Sequence, residues 1–340
     1  MRFQLLVSMV GVALASSAVY ADASAQQQHL NPVIGLLEQG KPVMGLYRPS
    51  NRPFGRAPVT PGPEKSEAEL AHDALAYKAG DYVFDGSMEH DFDKSFPVFS
   101  EFAAALSDAG AYARKPFHHL THPLIVKIPE IAPDPAKAAS YIGAQLNAGV
   151  SGIMFVGVES PEEVRQGIAA MRFKSQGGTR AEEVGTAPKF WGLSEQDYRQ
   201  KADLWPLNPA GELLNWVVVE SKAGLENVRE IAAVKGIGVL WPGAGTLRGV
   251  FSTTGADGKR VLDEAAWEAA IQKVLAACKE FDVPCGYPAG SPDDIEKRMK
   301  QGFSVFVMGW GDAGFKTVEH GRKLAGRAGA YATSAAGSSR

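Results

Sequence analysis

Short apolar runs alternate with longer amphipathic stretches eight times along this chain, and that repeat restricts the possible folds more than any other feature. The runs span residues 43–47, 82–85, 124–128, 152–158, 216–220, 238–241, 283–287 and 304–309. Most are continuously apolar, as strands covered on both faces are. The stretches between them, residues 66–78, 97–107, 135–148, 161–172, 225–234, 263–281, 292–301 and 315–324, space apolar residues by three and four, a helical period. Some open on cap signals. Ser160-Pro161-Glu162-Glu163 sets a Ser cap, a Pro in the first turn and acids at the positive end, and Ser291-Pro292-Asp293-Asp294 repeats that order. Eight strand–helix units imply a parallel sheet, and eight is the number that closes a barrel. The expected fold is therefore α/β, a (β/α)8 TIM barrel forming one domain over residues 26–326. The alternative, an open doubly wound sheet, lacks a Gly-x-Gly-x-x-Gly after its first strand; Gly243-Ala244-Gly245 is too short to replace it.

The termini read differently. Met1-Arg2 precedes an apolar run to Val19 and then small residues, with Val19-Tyr20-Ala21 and Ala23-Ser24-Ala25 as acceptable cleavage sites. Residues 1–25 are expected to be a signal peptide, so the mature chain is exported to a periplasmic or extracellular space and has no membrane segment once cleaved. Residues 327–340, rich in Gly, Ala and Ser, are expected to form a flexible tail. A net charge of -3 with no basic stripe gives no case for a nucleic-acid partner. Residues 173–215 are a long irregular connection, expected to be a lid or a subunit contact. The two cysteines, Cys278 and Cys285, are either bridged, which export permits, or free buried thiols.

In a parallel barrel the chemistry sits where strands run out into loops, at the C-terminal face. Reading those positions gives Arg48, then Asp85, Glu89 and His90, then Lys127, Glu159, Glu220, residues 242–246 and Asp312. Acids, a histidine and a lysine on one rim suit proton transfer beside a developing anion. Each has a plainer reading. His90 could be a solvated or capping histidine, Glu220 a surface carboxylate, and Glu159 and Asp312 helix caps. Lys127 is harder to set aside, because a lysine on an interior strand must be paired or functional. His118, His119 and His122 precede strand three, at the wrong end for chemistry, and are expected to be structural. The tryptophans are scattered as packing residues are.

The ordered set of motifs resembles the HpcH/HpaI aldolase/citrate lyase family. Asn31-Pro32 with Gly40-Lys41-Pro42-Val43-Met44-Gly45-Leu46 is similar to its opening helix and first strand. Asp81-Tyr82-Val83-Phe84-Asp85 followed by Met88-Glu89-His90 is similar to its Asp…Glu-His motif, with Gly86-Ser87 inserted, and Val219-Glu220-Ser221-Lys222-Ala223 to its metal-binding strand. The likeness runs from about Asn31 to Lys323. It implies a class II pyruvate aldolase barrel in which a divalent cation, Mg²⁺ or Mn²⁺, chelates a pyruvyl group while a histidine takes the hydroxyl proton. On that resemblance His90 is the base, Asp85 the acid that orients it, Glu220 one metal ligand, and Lys127 stands where an Arg faces the keto oxygen, keeping the charge without the fork. Arg48, Gly243 and Ala244 are expected to bind substrate. One departure matters most. The family's Gly-Pro-Ala-Asp after strand six, whose Asp is the second metal ligand, is here Trp241-Pro242-Gly243-Ala244-Gly245, so Gly245 offers no side chain. Metal binding should then be weak unless a rim acid such as Glu89 or Glu159 substitutes.

The expected activity is a carbon–carbon lyase acting on a small oxo- or hydroxy-acid through an enolate, in a protein that assembles as a homo-oligomer. Two other classes stay open at this point. One is a small-ligand-binding barrel without turnover, and the other a glycoside hydrolase, since Glu159 and Glu220 end adjacent strands.

Overall fold

All eight anticipated strands form in the computed structural model, which describes residues 28–51, 63–255 and 258–327. They are β1 (Val43–Tyr47), β2 (Val83–Asp85), β3 (Leu124–Ile128), β4 (Gly152–Phe155), β5 (Leu214–Val219), β6 (Val239–Pro242), β7 (Gly286–Pro288) and β8 (Val305–Met308). Every neighbouring pair in the sheet is parallel, and β8 returns to β1 in the register Val43 to Val305 through Leu46 to Met308. The remaining seam, between β6 and β7, is held by a parallel bridge from Leu240 to Cys285. The sheet is a nearly closed barrel, and the doubly wound alternative is excluded.

Alternate strand residues face inward. Phe84, Ile125, Met154, Trp216, Val218, Trp241 and Val307 make one buried cluster that fills the barrel, and the helix Pro32–Glu38 plugs its N-terminal end with Val33, Ile34 and Leu37. Trp216 stacks on Trp241 with ring centres 5.3 Å apart. The opposite strand faces pack under the surrounding helices in a second, larger cluster. Continuous apolar strands are what two such layers require. Cap signals act as read: the side chains of Ser160 and Ser291 accept from the backbone N–H of Glu163 and Asp294.

Three regions differ from expectation. The helix after β2 runs Phe92–Ala109, beginning before Pro97 because Asp91 caps it at Lys94 N and Phe92 stacks on Tyr141 at 3.8 Å. Its N-cap therefore directly follows His90. A short helix, Ala244–Val250, and a ribbon pairing Ser252–Thr254 with Arg260–Leu262 follow β6. The connection over residues 173–215 is no lid. It joins a helix to a strand and so emerges at the N-terminal end, where the Trp191 indole donates to Gly149 O at 2.9 Å and Trp191 and Tyr198 are fully buried.

Cys278 and Cys285 form a disulfide, Cα atoms 5.7 Å apart, tying the helix Glu264–Glu280 to the approach of β7. The anticipated signal peptide falls outside the described residues, as does the tail from residue 328 onward. Arg327, the first residue of that tail, donates to Pro42 O at 2.8 Å and pairs with Asp81. No helix among the described residues is long and apolar enough to cross a membrane.

Candidate active site

At the C-terminal rim, β5 delivers Glu220 out of a fully buried, mostly apolar run, and the residue stays only 9% exposed. Two glycines make room for it. Gly157, just beyond β4, donates its N–H to Glu220 Oε1 at 2.9 Å. It does so at φ +60°, a left-handed conformation that glycine adopts without strain. Gly243, just beyond β6, lies against the other side, and a Cβ there would overlap Glu220 Cβ and Oε2. Glu130, in the loop after β3, packs on Gly157 from the remaining direction: a Cβ on Gly157 would fall 2.8 Å from Glu130 Oε1.

Lys127 leaves β3 on the same rim, and its ammonium donates to Glu89 Oε2 at 2.8 Å, with both side chains 19% exposed. The lysine on an interior strand is thus paired. Beside it, burial first, then the charges of Glu89 and Asp85, push the Tyr47 hydroxyl well above its ordinary value, so it stays protonated.

A cavity of about 540 Å³ opens over these groups, with Glu89, His90, Glu130, Val156, Glu220 and Thr246 in its lining. Its outer wall adds Phe92, Lys137 and Tyr141. Carboxylates outnumber cations here, and Glu89 alone among the inner ones has a lysine partner. A second cavity of about 510 Å³ lies at the opposite end, beside His119 and His122. His122 is buried there between Thr121 Oγ1 and Tyr77 O, and burial pushes it down to about 4. These histidines are structural, as expected from their position.

The structure brings His90 and Glu220 to one cavity, with Lys127 joined to it through Glu89. It distributes the other anticipated residues differently. Asp85 makes no hydrogen bond or ion pair with His90 among the described residues; its carboxylate pairs with Arg48 Nε at 2.5 Å and accepts from Ser87 N at 2.7 Å. Arg48 is further held by Glu67 at 2.6 Å and lies over the Phe102 ring, away from the cavity lining. Gly243 supports Glu220, and Ala244 is buried with its carbonyl on the Trp267 indole. Gly245 faces open space. Glu159 accepts from Ser221 Oγ at 2.5 Å and does not line the cavity, so the carboxylate pair of a glycoside hydrolase is not assembled. Glu130 was missed in the sequence, whereas Thr246 was read there only as part of the rim turn 242–246. Glu130 follows Lys127 by only three residues, a spacing that could have drawn notice to it.

Among the described residues no three His, Cys, Asp or Glu side chains are grouped so as to hold a metal ion. Magnesium, however, is commonly held by one or two carboxylates with waters and substrate oxygens. Glu220 meets that need in part: Oε2 has no hydrogen-bond or ion-pair partner among the described residues.

Comparison with known proteins agrees with this geometry. The chain is 24% identical over 280 residues to a hydroxypyruvate/pyruvate aldolase of Paraburkholderia phytofirmans, covering 82% of this chain and 90% of that one. Its fold is similar to that of an HpcH/HpaI aldolase/citrate lyase family protein of Burkholderia cenocepacia, with TM-score 0.60, 22% identity, and 82% and 92% of the two chains covered. An HpcH/HpaI aldolase of Desulfitobacterium hafniense is likewise similar, with TM-score 0.57, 18% identity, and 81% and 89% covered. Residues 70–312 match the sequence model of HpcH/HpaI aldolase/citrate lyase, which is most of the chain. The chain therefore belongs to the HpcH/HpaI aldolase/citrate lyase family and is a carbon–carbon lyase built on a (β/α)8 barrel.

Proposed function

We propose that this lyase cleaves a small 4-hydroxy-2-oxo acid to pyruvate or a close analogue and an aldehyde, with His90 as the base and Glu220 as an anchor for a divalent cation. The observation that carries this reading is the convergence of His90 and Glu220 on one rim cavity. His90 stands at the mouth, immediately before the capped helix Phe92–Ala109, where an imidazole can reach a substrate hydroxyl. Taking that proton lets the C3–C4 bond break, and its electron pair passes to an enolate over C2 and C3. The proton is then available to C3. Mg²⁺ or Mn²⁺ at Glu220 would supply charge neutralisation for the carboxylate and enolate oxygen. Lys127 adds positive charge at the same rim. An ammonium donates to Glu89 and cannot accept, which suits an electrostatic role better than a nucleophilic one.

Export belongs to the same reading, supported by the signal-like pattern of residues 1–25 and by the disulfide, which an oxidising compartment permits. Arg48 and the Gly243-Ala244 turn act from behind the cavity, on Asp85 and Glu220, and assembly into a homo-oligomer is part of the proposal.

The test is release of 2-oxo acid from a panel of 4-hydroxy-2-oxo acids with Mg²⁺ present. Wild type is expected to turn over at least one, and His90→Ala to lose ~10²–10⁴ in rate while keeping its fold, since an exposed rim histidine contributes nothing to the core. Activity within a few-fold of wild type in His90→Ala would remove the base from the mechanism. Binding of 2-oxo acids without turnover of any would leave a ligand-binding barrel instead.

A further inference from the structure

We propose that Glu130 is the second carboxylate of the cation site, in place of an aspartate that residues 241–245 do not supply; this rests on the metal-assisted lyase reading above. Glu220 and Glu130 flank the same residue, Gly157. One accepts its N–H at 2.9 Å, and the other packs where its side chain would be: a Cβ on Gly157 would fall 2.8 Å from Glu130 Oε1 and 3.0 Å from its Cδ. Glycine at φ +60° is what lets both carboxylates approach. Both line the 540 Å³ cavity.

Two carboxylates lining one cavity beside the same glycine offer a divalent cation two anionic ligands. Glu130 has no hydrogen-bond or ion-pair partner among the described residues, and Glu220, nine-tenths buried, leaves Oε2 without one. Three other rim acids are engaged elsewhere: Glu89 with Lys127, Glu159 with Ser221, Asp85 with Arg48. Thr246, one residue past Gly245, adds a hydroxyl to the same lining. The two carboxylates and the Thr246 hydroxyl are oxygen donors and no sulfur among the described residues lines the cavity, so the site suits a hard cation, Mg²⁺ or Mn²⁺, rather than a thiophilic one.

Calorimetric titration of Mn²⁺ alone into the full mature protein, without substrate, tests the assignment. Wild type is expected to bind one ion per chain. Glu130→Gln should weaken binding roughly tenfold or more, as should Glu220→Gln, because affinity follows ligand charge count. Adding Gly245→Asp to Glu130→Gln should recover it, since position 245 faces open space and does not have positive φ. Circular dichroism checks that each variant is folded; Glu130 is exposed, so its exchange leaves the core intact. Wild-type affinity in Glu130→Gln, with loss in Glu220→Gln, would overturn the role of Glu130 while leaving the lyase reading standing. No Mn²⁺ binding by wild type would overturn this assignment together with the metal part of that reading.

Discussion

Lys127 shows how far a single residue can be read and where the reading stops. A lysine within Ile125-Val126-Lys127-Ile128-Pro129 had to be paired or functional, and its ammonium is found on Glu89 at 2.8 Å. What its position in the strand could not reveal was the partner, because Glu89 comes from the loop after β2 and meets Lys127 only once the barrel forms. Lys127→Ala should abolish cleavage, and Lys127→Arg should retain part of it, because a cation near the enolate stabilises developing negative charge. Borohydride treatment during turnover should leave the chain unmodified. A reduced adduct on Lys127 would mean an imine mechanism, a different class of chemistry. His90 and Glu220 were legible because they end strands or follow them. Asp85 was legible as a rim acid, but its pairing with Arg48 joins the ends of two separate strands, and sequence order does not settle it.

At the scale of elements, strands and capped helices were legible because period and cap chemistry are local. The split helix after β5, Lys222–Glu226 and Val228–Ala232, and the helix Ala244–Val250 were not, because short helices owe their stability to packing rather than to pattern. The turn after β6 is the element on which the site depends. Gly243 leaves the space that the Glu220 carboxylate occupies. Gly243→Ala should displace Glu220, cost about 1–3 kcal/mol by overpacking, and reduce both Mn²⁺ affinity and cleavage. Gly245→Ala, in open space, should change stability by less than about 1 kcal/mol. Chemical denaturation with activity assays on the two variants distinguishes them. Equal behaviour would mean that the backbone there, not the missing side chain, positions Glu220.

At the scale of the molecule, the barrel separates a catalytic end from an end that carries stability, and pH should act on them differently. His122, buried at the N-terminal end, has a folded value of about 4 against an ordinary 6.5. As pH falls below 6.5 the unfolded chain takes up a proton that the fold refuses, so stability present above 6.5 declines until about 4 and then levels off. Between pH 6.5 and 5 wild type should lose about 2 kcal/mol more than His122→Gln in urea unfolding; parallel losses would place the acid sensitivity elsewhere. The central claim concerns the other end, that this rim generates an enolate from a 2-oxo acid. Exchange of the pyruvate methyl protons for deuterium, followed by proton NMR in D₂O with Mg²⁺, reads that step without knowledge of the aldehyde partner. The account predicts exchange by wild type well above the protein-free rate and its loss in Glu220→Gln. Protein-free rates in wild type, or undiminished exchange in Glu220→Gln, would contradict it.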